Sequence, residues 1–339
     1  MNAGVIRNSI LILLSLVWFA CNGPAGAQPY TVKFGATGGR SDSQAVYLDR
    51  FQKELFARAG ERFRLETYPV GQLGSMPQMT QGLQFGTIEM VILAPQHLRG
   101  VDARFGVVEA PGLLDDFDHA NRAYWYPGFH DAYLSSGQAK GLVGVAMYAE
   151  GPMIYITRNP VRRLADFDGM KLRILATDIE QRLTASVGAT GVHVEWLEIP
   201  GALQRRQIDG FRTGLALPTA LKIYKSAKYV TLTKEAMFPL GVFVSSKFLE
   251  KLPTDLRKTL LDAARAAERG MTAPAKAIYD KAEITWSESG GEIIRLPSEE
   301  HAIFLKRAAE IGAEAYGAGD PSVREMYQRL KKAAAATKG

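Results

Sequence analysis

Five histidines could ligate a metal or carry protons, but their spacing supports neither role. His97, His119, His130, His193 and His301 form no H-E-x-x-H pair, and none stands at ligand spacing from another. The one cysteine, Cys21, lies in an N-terminal apolar stretch, so neither thiolate nor disulfide chemistry is expected of the rest of the chain. There is no G-x-S-x-G nucleophile turn and no G-x-x-x-x-G-K-[ST] phosphate loop, and Gly35-x-x-Gly38-Gly39 lacks the dinucleotide spacing. Asp115-Asp116 and Glu299-Glu300 are adjacent pairs, which point apart on either a strand or a helix. These patterns predict no metal, no cofactor and no catalytic centre.

Charge excludes a further class. With 41 basic and 35 acidic residues the chain carries +6, spread in small clusters at Arg162-Arg163, Arg205-Arg206 and Lys331-Lys332. A nucleic-acid partner calls for a dense basic stripe with interleaved aromatics, so none is expected. A mild positive field favours anionic ligands.

Arg7 is the only charge before residue 29, and Ile10 to Ala20 form an apolar run too short to span a bilayer. Ala25-x-Ala27 follows as a small-residue cleavage pattern, so residues 1–27 read as a signal peptide and the product as exported and soluble. Lipidation at Cys21 is the alternative to cleavage after Ala27. The remaining 312 residues exceed one ordinary core and predict two lobes.

Element patterns agree. Tyr30–Gly35 and Phe63–Tyr68 alternate as strands, and Ile88–Leu93 reads as a buried strand. Helices are expected over Ser43–Ala59, after a capping turn at Gly38–Asp42, and over Pro77–Phe85. This strand–helix rhythm predicts a mostly parallel sheet covered by helices. A second α/β unit follows, with strands at Leu142–Tyr148, Met153–Thr157 and Lys171–Leu175, a helix over Asp178–Val187, a helical turn at Pro200–Arg206 and a buried segment from Gly210. Thr254 is placed to cap a long helix running to about Ser289, which Pro274 should kink or restart and which could lie along both lobes. A last helix is expected over Glu299–Tyr316.

An ordered set of motifs resembles the DctP-type solute-binding subunits of TRAP (tripartite ATP-independent periplasmic) transporters. The set comprises Gln72-Leu-Gly74, Gln84-Phe-Gly-Thr-Ile88, Ala110-Pro-Gly-Leu-Leu114, Asp166-Phe-Asp-Gly-Met-Lys-Leu-Arg173, Gly188-Ala-Thr190, Ala202-Leu-Gln204 with Asp209-Gly210, and Leu249-Glu-Lys-Leu-Pro253. It is collinear over nearly all of the exported part.

The resemblance implies a two-lobed periplasmic-binding-protein fold of the type II-like, Venus-flytrap kind, with a long helix spanning both lobes. The implied division is 28–150 plus about 237–270 for the first lobe, and 151–236 plus about 271–325, with the C-terminal helices, for the second. It implies a periplasmic receptor that captures a small organic carboxylate and passes it to membrane subunits for uptake driven by an ion gradient. A monomer is expected. It also implies that Arg173 projects from a strand end and clamps the carboxylate, for which a planar guanidinium fork is suited.

Departures from the family pattern narrow the expectation. Where relatives carry a further arginine, this chain has Gly151-Pro-Met153-Ile-Tyr155; where they carry Gln-Glu-Asn, it has Phe211-Arg212-Thr213, and Trp196 stands at their Pro-aromatic step. Met153, Tyr155, Trp196 and Phe211 would be apolar walls around one anion clamp, with Thr213 at the asparagine position. That arrangement suits an apolar or aromatic monocarboxylate. Gly39 and Ala94, after first-lobe strands, are expected contacts because ligands of open α/β sheets bind beyond the carboxyl ends of strands. Arg212 stays open: turned inward, it makes a diacid or sugar acid the better ligand. The alternatives are an ABC-type receptor, a sensory domain, or a periplasmic hydrolase or lyase.

Overall fold

The computed structural model describes residues 28–39, 41–175 and 177–339. The expected leader, with Cys21 and the Ala27 cleavage position, lies outside them. Among the described residues no helix is long and apolar enough to cross a membrane.

Strands β1 (Tyr30–Ala36), β2 (Phe63–Tyr68), β3 (Met90–Leu93), β4 (Leu142–Pro152) and β10 (Met237–Ser245) form one sheet in the order β2-β1-β3-β10-β4. The other sheet is β11-β9-β5-β8-β6-β7, built from β5 (Ile154–Thr157), β6 (Lys171–Ile174), β7 (Thr190–His193), β8 (Gly210–Thr213), β9 (Tyr229–Thr231) and β11 (Glu292–Ile294). Two antiparallel strands cross from one sheet to the other. Met237 pairs with Pro152 in the first sheet and Thr231 with Tyr155 in the second. Between them the Met153 amide donates to Ala236 and the Lys234 amide to Met153 (2.8 and 2.9 Å). A short paired crossing of this kind lets two lobes hinge without either sheet losing its ladder.

The longer helices are α1 (Ser43–Ala59), α2 (Met76–Phe85), α3 (Phe117–Tyr124), α4 (Asp178–Ser186), α5 (Thr254–Arg269), α6 (Thr272–Glu288), α7 (Ser298–Gly317) and α8 (Pro321–Thr337). Helix α1 starts as its sequence predicts: Asp42 accepts from the Gln44 and Ala45 amides. Its buried residues, Gln44, Tyr47, Leu48, Phe51, Leu55 and Ala59, repeat at helical spacing. Phe34 of β1 meets Phe51 edge-on at 5.7 Å, and Tyr148 of β4 stacks on Tyr47 at 5.9 Å.

Three expectations need correction. The stretch from Thr254 to Glu288 is two helices, α5 and α6, broken at Gly270-Met271 and not at Pro274. Glycine is a poor helix former, and the Gly270 amide closes the end on Ala267 and Glu268. Pro274 falls in the first turn of α6, where a missing N–H leaves no bond unmade. Helix α6 touches elements of both sheets, reaching β4 and α3 on one side and β11 and the short helix Ala216–Ala220 on the other. Thr254 is the first helical residue and makes no capping bond; Pro253 holds the cap position. Finally, α8 follows the helix expected to be last, and packs on α3 of the first lobe while α7 packs on α4 of the second.

Candidate functional site

The interlobe cavity is built from loops at strand ends. After β1, Gln44 holds the turn: its Oε1 accepts from the Thr37 and Gly38 amides (3.1 and 2.9 Å), and its Nε2 donates to Thr37 Oγ1 (3.0 Å). Thr37 and Gln44 line the cavity with Met76, Ala94, Gln96 and His97. The second lobe supplies Arg173, Leu175, Glu180, Trp196, Arg212, Thr213 and Leu217, and the crossing strands Met153, Phe238 and Leu240. The walls stand close together and leave about 30 Å³ between them, room for little more than a water, so the lobes must part to admit a ligand.

Two arginines face this space, both almost fully buried, at 4% exposure for Arg173 and 5% for Arg212. They differ in what holds them. Arg212 Nε donates to Glu235 Oε1 at 2.5 Å, and its Nη1 lies 3.8 Å from Glu180 Oε1. Burial works against the Arg212 charge, but Glu235, Tyr155, Glu180 and Glu109 together hold its pKa above the ordinary arginine value. Arg173 donates from Nε to the Val194 carbonyl at 2.8 Å, while its Nη2 has no hydrogen-bond partner. Among the described residues no carboxylate lies within ion-pair distance of Arg173; Glu180, Glu195 and Glu109 act on it only at longer range. Burial lowers its pKa from the usual value.

Further polar atoms are oriented without partners. Trp196 Nε1, both terminal nitrogens of Arg212 and Gln96 Oε1 are buried and unbonded. Buried polar atoms of this kind are costly unless a partner reaches them. His97 supplies no charge: burial, and then Arg173, push its pKa down to about 3. Glu109, close behind, has its pKa pushed up to about 8 by burial and by Glu180, against the opposing pull of Arg212, Arg99 and Arg173.

Of the residues singled out from sequence, Arg173, Trp196, Met153, Thr213 and Ala94 line the cavity. Tyr155, Phe211 and Gly39 do not. Tyr155 packs against Phe167 (4.9 Å) and Phe304 in a separate apolar cluster. Phe211 is fully buried and meets Trp196 edge-on at 6.1 Å, supporting that wall from outside the cavity. Gly39 borders an outer surface depression with Ala45, Leu48 and Asp49, its amide bonded to Asp42. The strand-end rule came within two residues of Thr37 and Gln96. Glu180 and Glu235 carried no sequence signal, since each is defined by the arginine it meets. Among the described residues no cluster of His, Cys, Asp and Glu could hold a metal.

The lips of the cleft meet at Gly71, where a side chain would press on Leu197. Gly71 takes a left-handed conformation (φ +68°), and a Cβ there would stand 2.9 Å from Leu197 Cδ1 and 3.3 Å from the Gly74 carbonyl oxygen. Gly71→Val combines left-handed strain of roughly 1–2 kcal/mol with that obstruction of closure. Ligand affinity should fall about three- to tenfold, and small-angle scattering should show a less compact liganded state. Unchanged affinity would mean that the lips do not govern closure.

Glu150, near the end of β4, is buried, accepts from Ser43 Oγ (3.1 Å) and has no partner at Oε2. Burial, and then Asp42, push its pKa from 4.5 up to about 8. The folded protein therefore keeps a proton that the unfolded chain releases. The stabilisation is complete below pH 4.5 and is lost as pH rises toward 8. Melting temperature should fall over that window, and Glu150→Gln should flatten the fall; an unaltered profile in the variant would contradict the assignment.

Over residues 34–318 the chain matches the family described as bacterial extracellular solute-binding protein, family 7. The ectoine/5-hydroxyectoine-binding periplasmic protein UehA of Ruegeria pomeroyi is 25% identical over 315 residues, covering 92% of each chain. The C4-dicarboxylate-binding periplasmic protein DctP of Rhodobacter capsulatus is 25% identical over 308 residues, 87% of this chain and 91% of its own. A TRAP periplasmic solute-binding protein from Desulfovibrio salexigens, crystallised with orotic acid, superposes with a TM-score of 0.84 at 22% identity, covering 91% of this chain and 99% of that one.

Proposed function

Because the chain belongs to family 7 of the bacterial extracellular solute-binding proteins, which are transport receptors and not enzymes, we propose that it captures a monocarboxylate with an apolar body and delivers it to TRAP-type membrane subunits from the periplasm. One observation carries the ligand class: Arg173 is a buried guanidinium with an unbonded Nη2 and no ion pair among the described residues, beside a second arginine whose charge is already balanced. A ligand carboxylate supplies the anion that Arg173 lacks, in the bidentate geometry a guanidinium favours. Trp196 Nε1 is a further donor. Met76, Met153, Leu175, Leu217, Phe238 and Leu240 then form the surroundings of the body.

In this reading the first lobe is 28–150 with 237–270, and the second is 151–236 with 271–325. Sheet membership supports the division, and α8 returns to the first lobe. Closure of the lobes about the crossing strands buries the ligand and creates the form the membrane subunits recognise.

A second reading, a dicarboxylate or sugar-acid receptor, draws on Arg212, which also lines the cavity. Its two carboxylate neighbours weigh against it. Thermal-shift screening of aromatic, aliphatic, dicarboxylic and sugar acids, with Arg173→Ala alongside, tests both. Apolar monocarboxylates should give the largest shifts, absent in the variant. Hits confined to diacids or sugar acids would overturn the first reading, and uncharged hits would overturn both.

A further inference from the structure

We propose that Glu235, seconded by Glu180, is the specificity-determining residue that limits the cavity to one ligand carboxylate, by cancelling the charge of Arg212. This rests on Arg173 being the carboxylate clamp. Glu235 lies on the segment between β9 and β10, where the chain crosses between lobes, and its side chain is fully buried. Its carbonyl accepts from the Gly112 amide at 2.8 Å, which ties the position to the first lobe. Its Oε1 accepts a hydrogen bond from Arg212 Nε, while Oε2 has no partner.

Arg212 nevertheless keeps two unbonded terminal nitrogens, and it shares the cavity wall with Arg173. In hydrogen-bonding terms it could still receive a carboxylate. In charge terms it cannot do so cheaply, because a second ligand anion would sit beside the carboxylates of Glu235 and Glu180 in a poorly solvated space. The other titratable groups there do not alter the balance: His97 is neutral at neutral pH, Glu109 holds its proton to about pH 8, and Tyr155 stays protonated. The cavity thus holds one arginine paired within the protein and one left for the ligand.

The test compares monoacids with diacids on the same skeleton, benzoate with phthalate and hexanoate with adipate, by isothermal titration calorimetry. Wild type should prefer the monoacid of each pair. Glu235→Gln should move the monoacid-to-diacid affinity ratio toward the diacid by about tenfold or more. Arg212→Gln with Glu235→Gln, which removes both charges, should restore the wild-type ratio to within about threefold. Arg212→Gln alone leaves Glu235 unbalanced and should weaken monoacid binding about tenfold relative to the double variant; this comparison decides the matter should Glu235→Gln not fold. If Arg173→Ala abolishes binding but neither the Glu235→Gln ratio nor the Arg212→Gln affinity moves, the role of Glu235 is wrong and the clamp stands. If Arg173→Ala binds monoacids as wild type does, the clamp itself is wrong and the inference falls with it.

Discussion

Replacing Arg173 with alanine is expected to lower affinity for the carboxylate ligand about 30- to 5,000-fold, while the melting temperature of the free protein stays within a few degrees. The range corresponds to roughly 2–5 kcal/mol for removing one partner of a buried, hydrogen-bonded charge pair. The asymmetry between binding and stability follows from the partners of Arg173. Within the protein it has one hydrogen bond, from Nε to the Val194 carbonyl, and no ion pair among the described residues. A buried cation so poorly compensated contributes little to folding, and its desolvation is offset only when an anion arrives. Arg173→Lys should lie between the two, since it keeps a charge but loses the planar fork. Calorimetric titration measures the affinity and thermal denaturation the stability. A large fall in melting temperature with unchanged affinity would turn Arg173 into a structural residue.

The reverse pattern is expected at Phe211. Its sequence position suggested a cavity wall, but its ring is fully buried outside the cavity on β8, the strand between β5 and β6. Phe211→Ala removes a large side chain that the neighbouring strands cannot collapse to fill. The cost should be about 3–5 kcal/mol, seen as a fall in melting temperature on the order of 5–15 °C. The edge-on contact with Trp196 at 6.1 Å is part of that loss. Affinity should change less than about tenfold, through looser support of Trp196 and not through a missing ligand contact. Equilibrium denaturation with urea, beside calorimetric titration of the same variant, separates the two effects. A stable variant with strongly weakened binding would return Phe211 to the cavity.

Much of the scaffold was legible in the residues because local patterns decide it. Helix α1 has the predicted ends because Asp42 caps it and its apolar residues repeat at helical spacing. Strands β1 and β2 follow from alternation, β6 is legible in Lys171-Leu-Arg-Ile174, and β8 only as a buried segment from Gly210. Local rules failed where two stop signals competed. Pro274 is the stronger helix breaker in general, but its cost vanishes in a first turn, so Gly270 made the break four residues earlier.

The sequence by itself determined an α/β chain, a collinear family pattern and an arginine near the end of a strand. Tertiary structure decided which side chains share the cavity. All four residues of β8 are buried, so alternation along Gly210–Thr213 cannot say which side meets the ligand. Packing turned Arg212 and Thr213 to the cavity and kept Phe211 outside it. The Arg212–Glu235 pair joins residues 23 positions apart, brought together only when the chain crosses between the sheets. The free charge of Arg173 has the same origin, because burial and the distribution of carboxylates between two arginines are properties of the folded cavity and of no segment alone.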